Sequence, residues 1–142
     1  ADLVQAQFRV AANQVLEPFG QAHGCAIQCR INAENPEEGF RPQPGTLTVF
    51  RLPEGEGIRV DTHLREGDRV SPHFDSMIAK VIAHGSTREQ AIDTMRKALD
   101  AMVVEGVPTT ISLHRRLMDH PGFLAGNTDT GFLERELEGL LS

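Results

Sequence analysis

The chain has 142 residues, 39% of them hydrophobic and 24% charged, which suits one globular domain with a single core and excludes a disordered or low-complexity chain. A net charge of −6, scattered basic residues, and seven Phe with neither Tyr nor Trp argue against nucleic acid or an anionic membrane as partner. No apolar run nears the roughly 20 residues that span a bilayer, no secretory leader pattern opens the chain, and two cysteines are too few for a disulfide framework, which points to a reducing compartment.

Asp2 is placed to cap a first helix running to about Ala12, with Val4, Phe8, Ala11 and Ala12 on one face. Helix-like sequence so close to an initial Ala gives the expectation of a piece cut from a longer protein. After a loop with Pro18 and Gly20, the period falls to two over Gly24–Glu34. Cys25, Ile27, Cys29 and Ile31 then share one face; Gln28, Arg30, Asn32 and Glu34 share the other. Residues four apart in such a strand lie about 13 Å from each other, too far for Cys25 and Cys29 to form a disulfide. His23 lies nearby, but no second cluster with zinc-ligand spacing follows, so no metal is expected.

Residues 35–46 are rich in Pro and Gly and read as turns. Short strands are predicted at Thr46–Leu52, Gly57–Thr62 and Arg69–Ser71, joined by hairpin turns at Pro53–Gly57 and Arg65–Asp68. Ser76–His84 reads as an apolar strand. The helical period then returns, with Ser86 and Glu89 as a capping box. Behind that box, Ala91, Ile92, Met95, Ala98, Leu99, Met102 and Val103 form one stripe, and Gly106 and Pro108 end it. Shorter helices are predicted at about Ile111–Asp119 and Thr130–Leu141. The predicted class is α+β: a small antiparallel β assembly followed by three helices, in one domain over residues 1–142.

Generic motifs assign no chemistry, since the chain has no nucleophile elbow, no Walker-type Lys loop and no His-Glu-x-x-His. Two residues are worth pursuing. Arg30, on a polar strand face beside Asn32 and Glu34, offers a rigid fork of donors to an oxyanion or carbonyl; the plainer reading is a surface ion pair with Glu34. Asp75, at the mouth of the Ser76–His84 strand, could orient Arg30 if the strands are neighbours; the plainer reading is a turn-forming Asp.

At these places the sequence resembles the biotin carboxylase family. The matching blocks are Gly24 to Pro36, Pro42 to Gly45, Gly57 to Asp61, Phe74 to Lys80, Glu105 to Thr110 and Thr128 to Leu133, in the family's order. The opening, Asp2-Leu3-Val4 to Ala12, is similar as well, so the likeness covers essentially the whole chain and implies the C-terminal domain of that ATP-grasp family.

The resemblance implies that the complete enzyme uses ATP, Mg²⁺ and bicarbonate to make carboxyphosphate and carboxylates biotin carried on a separate domain. Arg30 takes the place of the family's biotin-oxygen arginine, whose charge serves as an oxyanion hole, and Asp75 that of the aspartate orienting it. Thr130 and Gly131 match the loop on the adenine side, although the family often has a larger apolar residue where Thr130 stands. Arg59 matches an arginine near the bacterial dimer interface, with Glu56 in place of an aromatic neighbour.

The family's nucleotide-binding lysines, Mg²⁺-binding glutamates, bicarbonate-binding arginine and general-base glutamate have no match here. The fragment is therefore expected to be inactive alone and to bind no cofactor by itself. Implied partners are the N-terminal ATP-grasp portion, the biotin carboxyl carrier domain, the carboxyltransferase component and a possible second copy. The implied location is cytoplasmic, or the mitochondrial matrix in a eukaryote. Gly24 to Arg30, Ser71 to Asp75 and Val81 to Gly85 look more like pyruvate carboxylases, while Ile31 to Glu34 lean toward acetyl-CoA carboxylases. The rival readings are a non-catalytic interaction module on the same fold, or the C-terminal domain of another ATP-grasp ligase.

Overall fold

Alternating polarity over residues 25–32 produces the strand around which the domain is built. In the computed structural model, which describes residues 2–141, β1 (Cys25–Asn32) buries Cys29 and Ile31 and exposes Gln28 and Arg30. It runs antiparallel to β6 (Met77–Gly85), which in turn pairs with β5 (Ile58–Asp61), giving the order β1-β6-β5. Helix α2 (Arg88–Ala101) lies across the inner face and buries Ala91, Ile92, Met95, Ala98 and Leu99 against it. Each large side chain so buried contributes roughly 1.5–3 kcal/mol.

The remaining elements frame this layer. Helix α1 (Leu3–Ala11) is capped by Asp2, whose carboxylate accepts from the Gln5 N–H at 2.9 Å, and it buries none of its residues. Strands β2 (Glu34–Asn35) and β3 (Arg41–Pro42) pair around a 3₁₀ turn at Pro36–Glu38, and β4 (Val49–Arg51) pairs with β7 (Val103–Glu105). Helix α3 (Ile111–Asp119) packs on α2; α4 (Pro121–Leu124) and α5 (Phe132–Leu141) pack on α3. Arg115 and Arg96 join these helices, donating to the carbonyls of Leu99 (2.7 Å) and Met118 (2.9 Å). Among the described residues, no helix is long and apolar enough to cross a membrane.

The α+β class holds, and four local expectations are corrected. Neither Pro53–Gly57 nor Arg65–Asp68 closes a hairpin. β4 finds its partner in β7 and β5 in β6, while Arg69 only bridges Thr46. Turn chemistry fixes where a chain reverses, not which strand satisfies its edge. The cap of α2 is Thr87, which accepts from the Gln90 N–H, and Gln90 Oε1 reaches back to the Ser86 N–H (3.0 Å) and hydroxyl (2.6 Å).

The apolar stripe behind that cap is helical only to Ala101. Met102 turns extended and the β-branched pair Val103-Val104 joins β4 as a strand, so Gly106 ends β7 rather than the helix. Its φ of +97° and the approach of the Thr46 carbonyl leave no room for a side chain there. Finally, Pro121 opens an additional short helix, with the His120 ring accepting from the Gly122 N–H at 3.2 Å, so α2 is followed by three further helices.

Candidate functional site

Strand pairing decides what surrounds Arg30. Its register partner on β6 is Lys80, and opposite Lys80 on β5 is Asp61. Two cations facing each other across a ladder repel. Here Lys80 leans toward Asp61 (Nζ to Oδ2 3.8 Å), and Arg59 grips the same carboxylate bidentately at 3.0 and 2.8 Å. Arg59, first through its hydrogen bonds, holds the Asp61 carboxyl below its usual range. Asp61 is thereby committed to Arg59 and Lys80. Among the described residues, no carboxylate pairs with the Arg30 guanidinium, which stands exposed with Lys80 opposite it. An unpaired planar fork of donors in a locally positive setting is suited to an oxygen that gains negative charge.

Glu34, the plainer partner suggested for Arg30, is engaged elsewhere. Its Oε1 accepts from the Asn32 side-chain amide (3.0 Å) and from the Ser76 hydroxyl. A bulge between Ile31 and Asn32 sets Asn32 opposite Met77, and Ala33 N–H bonds the Ser76 carbonyl at 2.8 Å. Asp75 therefore sits at the same end of the strand pair as Arg30, but four ladder positions along, roughly 13 Å at about 3.3 Å per residue.

Asp75 Oδ1 accepts from the Met77 N–H at 2.7 Å, as in a turn-forming Asp. No hydrogen bond or ion pair joins Arg30 to Asp75 among the described residues: the strands are neighbours, as the orienting role requires, yet the two side chains are apart. Thr130 and Gly131 form the turn before α5. There Asp129 accepts from the Gly131 N–H (3.0 Å) and pairs with Arg135 through both oxygens (2.9 and 3.0 Å). No described bond ties this turn to Arg30.

Two residues at the site escaped the sequence reading. β1 is an edge strand, and its free edge is covered by the start of α3. Thr110, 5% exposed, is the one buried polar side chain among the described residues. Its hydroxyl accepts from the Asn32 N–H (3.1 Å) and donates to the Arg30 carbonyl (3.2 Å), while its own N–H donates to the Asn32 carbonyl (3.2 Å). His114 Nε2 donates to the same Arg30 carbonyl at 2.9 Å. Burial lowers the His114 pKa from 6.5, with the carbonyl hydrogen bond acting the other way. The available signal was the i, i+4 spacing of Thr110 and His114, which sets both on one helix face.

Comparisons with known proteins give the family and the fold. A sequence model described as "Biotin carboxylase C-terminal domain" matches residues 28–135. The chain is similar to biotin carboxylase 1 of Bacillus subtilis, 44% identical over 136 residues that make up 94% of this chain and 30% of that protein. It is also similar to a pyruvate carboxylase subunit from Methanothermobacter thermautotrophicus, 41% identical over 98% of this chain and 29% of that one. Among solved structures, the biotin carboxylase domain of Hydrogenobacter thermophilus 2-oxoglutarate carboxylase superposes with a TM-score of 0.90 at 38% identity, over 99% of this chain and 32% of that one. That structure is a dimer in complex with MgADP, ADP and bicarbonate. The chain thus spans about 30% of the length of these relatives.

Proposed function

The chain belongs to the biotin carboxylase C-terminal domain family, and we propose that it forms the biotin-facing wall of a biotin carboxylase active site with Arg30 as the working cation. In the full-length enzyme the chemistry supplied from elsewhere is ATP-driven activation of bicarbonate with Mg²⁺ and presentation of biotin on its carrier domain. The residues present fit a ureido group: a guanidinium with no carboxylate partner, beside a lysine, matches an oxygen that becomes negative when the adjacent nitrogen loses its proton.

Arg30 supplies a planar fork of donors on a strand held by its pairing with β6, suited to stabilising the charge that develops. Asp75 is held at the mouth of β6 by its bond from the Met77 N–H, and the orienting role that the family resemblance gives it would require it to approach the Arg30 guanidinium, which it does not contact among the described residues. Thr130 and Gly131 flank the adenine side. The lysines and glutamates that handle ATP, Mg²⁺ and bicarbonate belong to an ATP-grasp portion outside these residues, so the domain alone is inactive. A carboxyltransferase component, a second copy of the enzyme, and a cytoplasmic or mitochondrial-matrix setting complete the proposal.

The unpartnered Arg30 guanidinium is the observation that carries this reading. Free biotin and bicarbonate added to the full-length enzyme test it, with the expected result being ATP hydrolysis that rises with biotin concentration. Hydrolysis indifferent to biotin points to another ATP-grasp ligase. Absence of ATP turnover points to an interaction module.

A further inference from the structure

We propose that Thr110 and His114 are positioning residues, which fix the backbone at Arg30 and so set where its guanidinium stands. The inference rests on the reading of Arg30 given above. An edge strand normally leaves its outward carbonyls to water, and one hydrogen bond is enough to satisfy each. The Arg30 carbonyl instead receives two donors from the cap and first turn of α3, the Thr110 hydroxyl at 3.2 Å and His114 Nε2 at 2.9 Å. Thr110 also closes a reciprocal pair with the backbone of Asn32. The Thr110 hydroxyl thus serves both as donor and as acceptor.

For His114 to donate from Nε2, its neutral ring must carry the proton there. Nδ1 is then left buried without a hydrogen-bond partner among the described residues. An unsatisfied ring nitrogen is a cost that an apolar side chain would avoid. Its compensation is the second grip on Arg30.

The mechanical reason is leverage. A guanidinium stands about 6 Å from its Cα, so a backbone tilt of about 10° moves it by roughly 1 Å, a misplacement able to cost on the order of 10²-fold in rate. Holding the carbonyl from two directions restrains that tilt. Thr110 and His114 touch no reacting atom in this arrangement; they act through Arg30.

A double-mutant cycle in the full-length enzyme tests this, with biotin carboxylation as the readout. Thr110→Val and His114→Leu are each expected to lower kcat about tenfold while leaving KM for ATP unchanged. Thr110→Ser and His114→Gln, which keep a donor, restore most of the rate. In an Arg30→Ala background, neither Thr110→Val nor His114→Leu lowers the residual rate further, because the group they place is gone.

Equal fold-losses in both backgrounds show a merely structural role and overturn the proposal, as does a normal rate with Arg30 intact. If Arg30→Ala alone leaves carboxylation unchanged, the reading of Arg30 fails and the positioning role fails with it. Should Thr110→Val not fold, the His114→Leu cycle decides alone.

Discussion

His114 and Cys29 show how burial at single residues makes stability depend on pH. The His114 pKa is lowered on folding, so the unfolded chain takes up that proton more readily than the folded one. Its stabilising contribution is complete above pH 6.5 and is lost as pH falls through the lowered folded value. Cys29 behaves in the opposite sense, because desolvation pushes its thiol from 9.0 up to about 12. That contribution is complete below pH 9 and disappears as pH rises toward 12. Urea midpoints measured across pH should therefore fall on both flanks. Cys29→Ala should flatten the decline between pH 9 and 12, and an unchanged alkaline limb would count against a buried thiol. At this scale the sequence was partly legible. Period-two patterning put Cys29 inside and Arg30 outside, but nothing local said that Lys80 would face Arg30 or that Glu34 would prefer Asn32 and Ser76.

Elements were legible where local chemistry and tertiary pairing agree, as in β1 and in α3, whose observed bounds Ile111–Asp119 are those predicted. They were misread where a distant partner overrode the local pattern. Val103 continues the apolar stripe of α2 and was expected in the helix, yet the edge of β4 recruits it into β7. At the other end of α2, capping gives a direct test of where the helix starts. Thr87→Ala should cost about 1 kcal/mol, and Ser86→Ala, at the residue before the cap, should cost less; the reverse order in thermal melts would favour the original capping box. Gly106→Ala should cost about 1–3 kcal/mol, because the new methyl enters left-handed backbone space occupied by the Thr46 carbonyl. A neutral effect would mean that the turn after β7 is free to relax.

At the scale of the whole molecule, the uncovered surface is as informative as the core. Leu3, Val4, Phe8 and Val10 on α1 are 57–73% exposed, with Val15 at 93% and Phe19 at 54% beyond it. Exposed apolar side chains in this number favour association. Light scattering on the isolated domain should show mass rising with concentration, and Val4→Glu with Phe8→Glu should suppress that without lowering the melting temperature, since neither side chain is in the core. A monodisperse monomer at high concentration would contradict this. Family membership was readable from the ordered blocks of sequence; the route by which the start of α3 grips β1 was not, because it depends on residues 78–84 positions apart. The most direct measurement is the rate at which the full-length enzyme carboxylates free biotin when Arg30 is changed to Ala. The account predicts a fall of about 10²–10³-fold with the KM for ATP unaltered. A rate within about twofold of the unmodified enzyme, less than the roughly tenfold that even 1.4 kcal/mol of lost stabilisation produces, would contradict it.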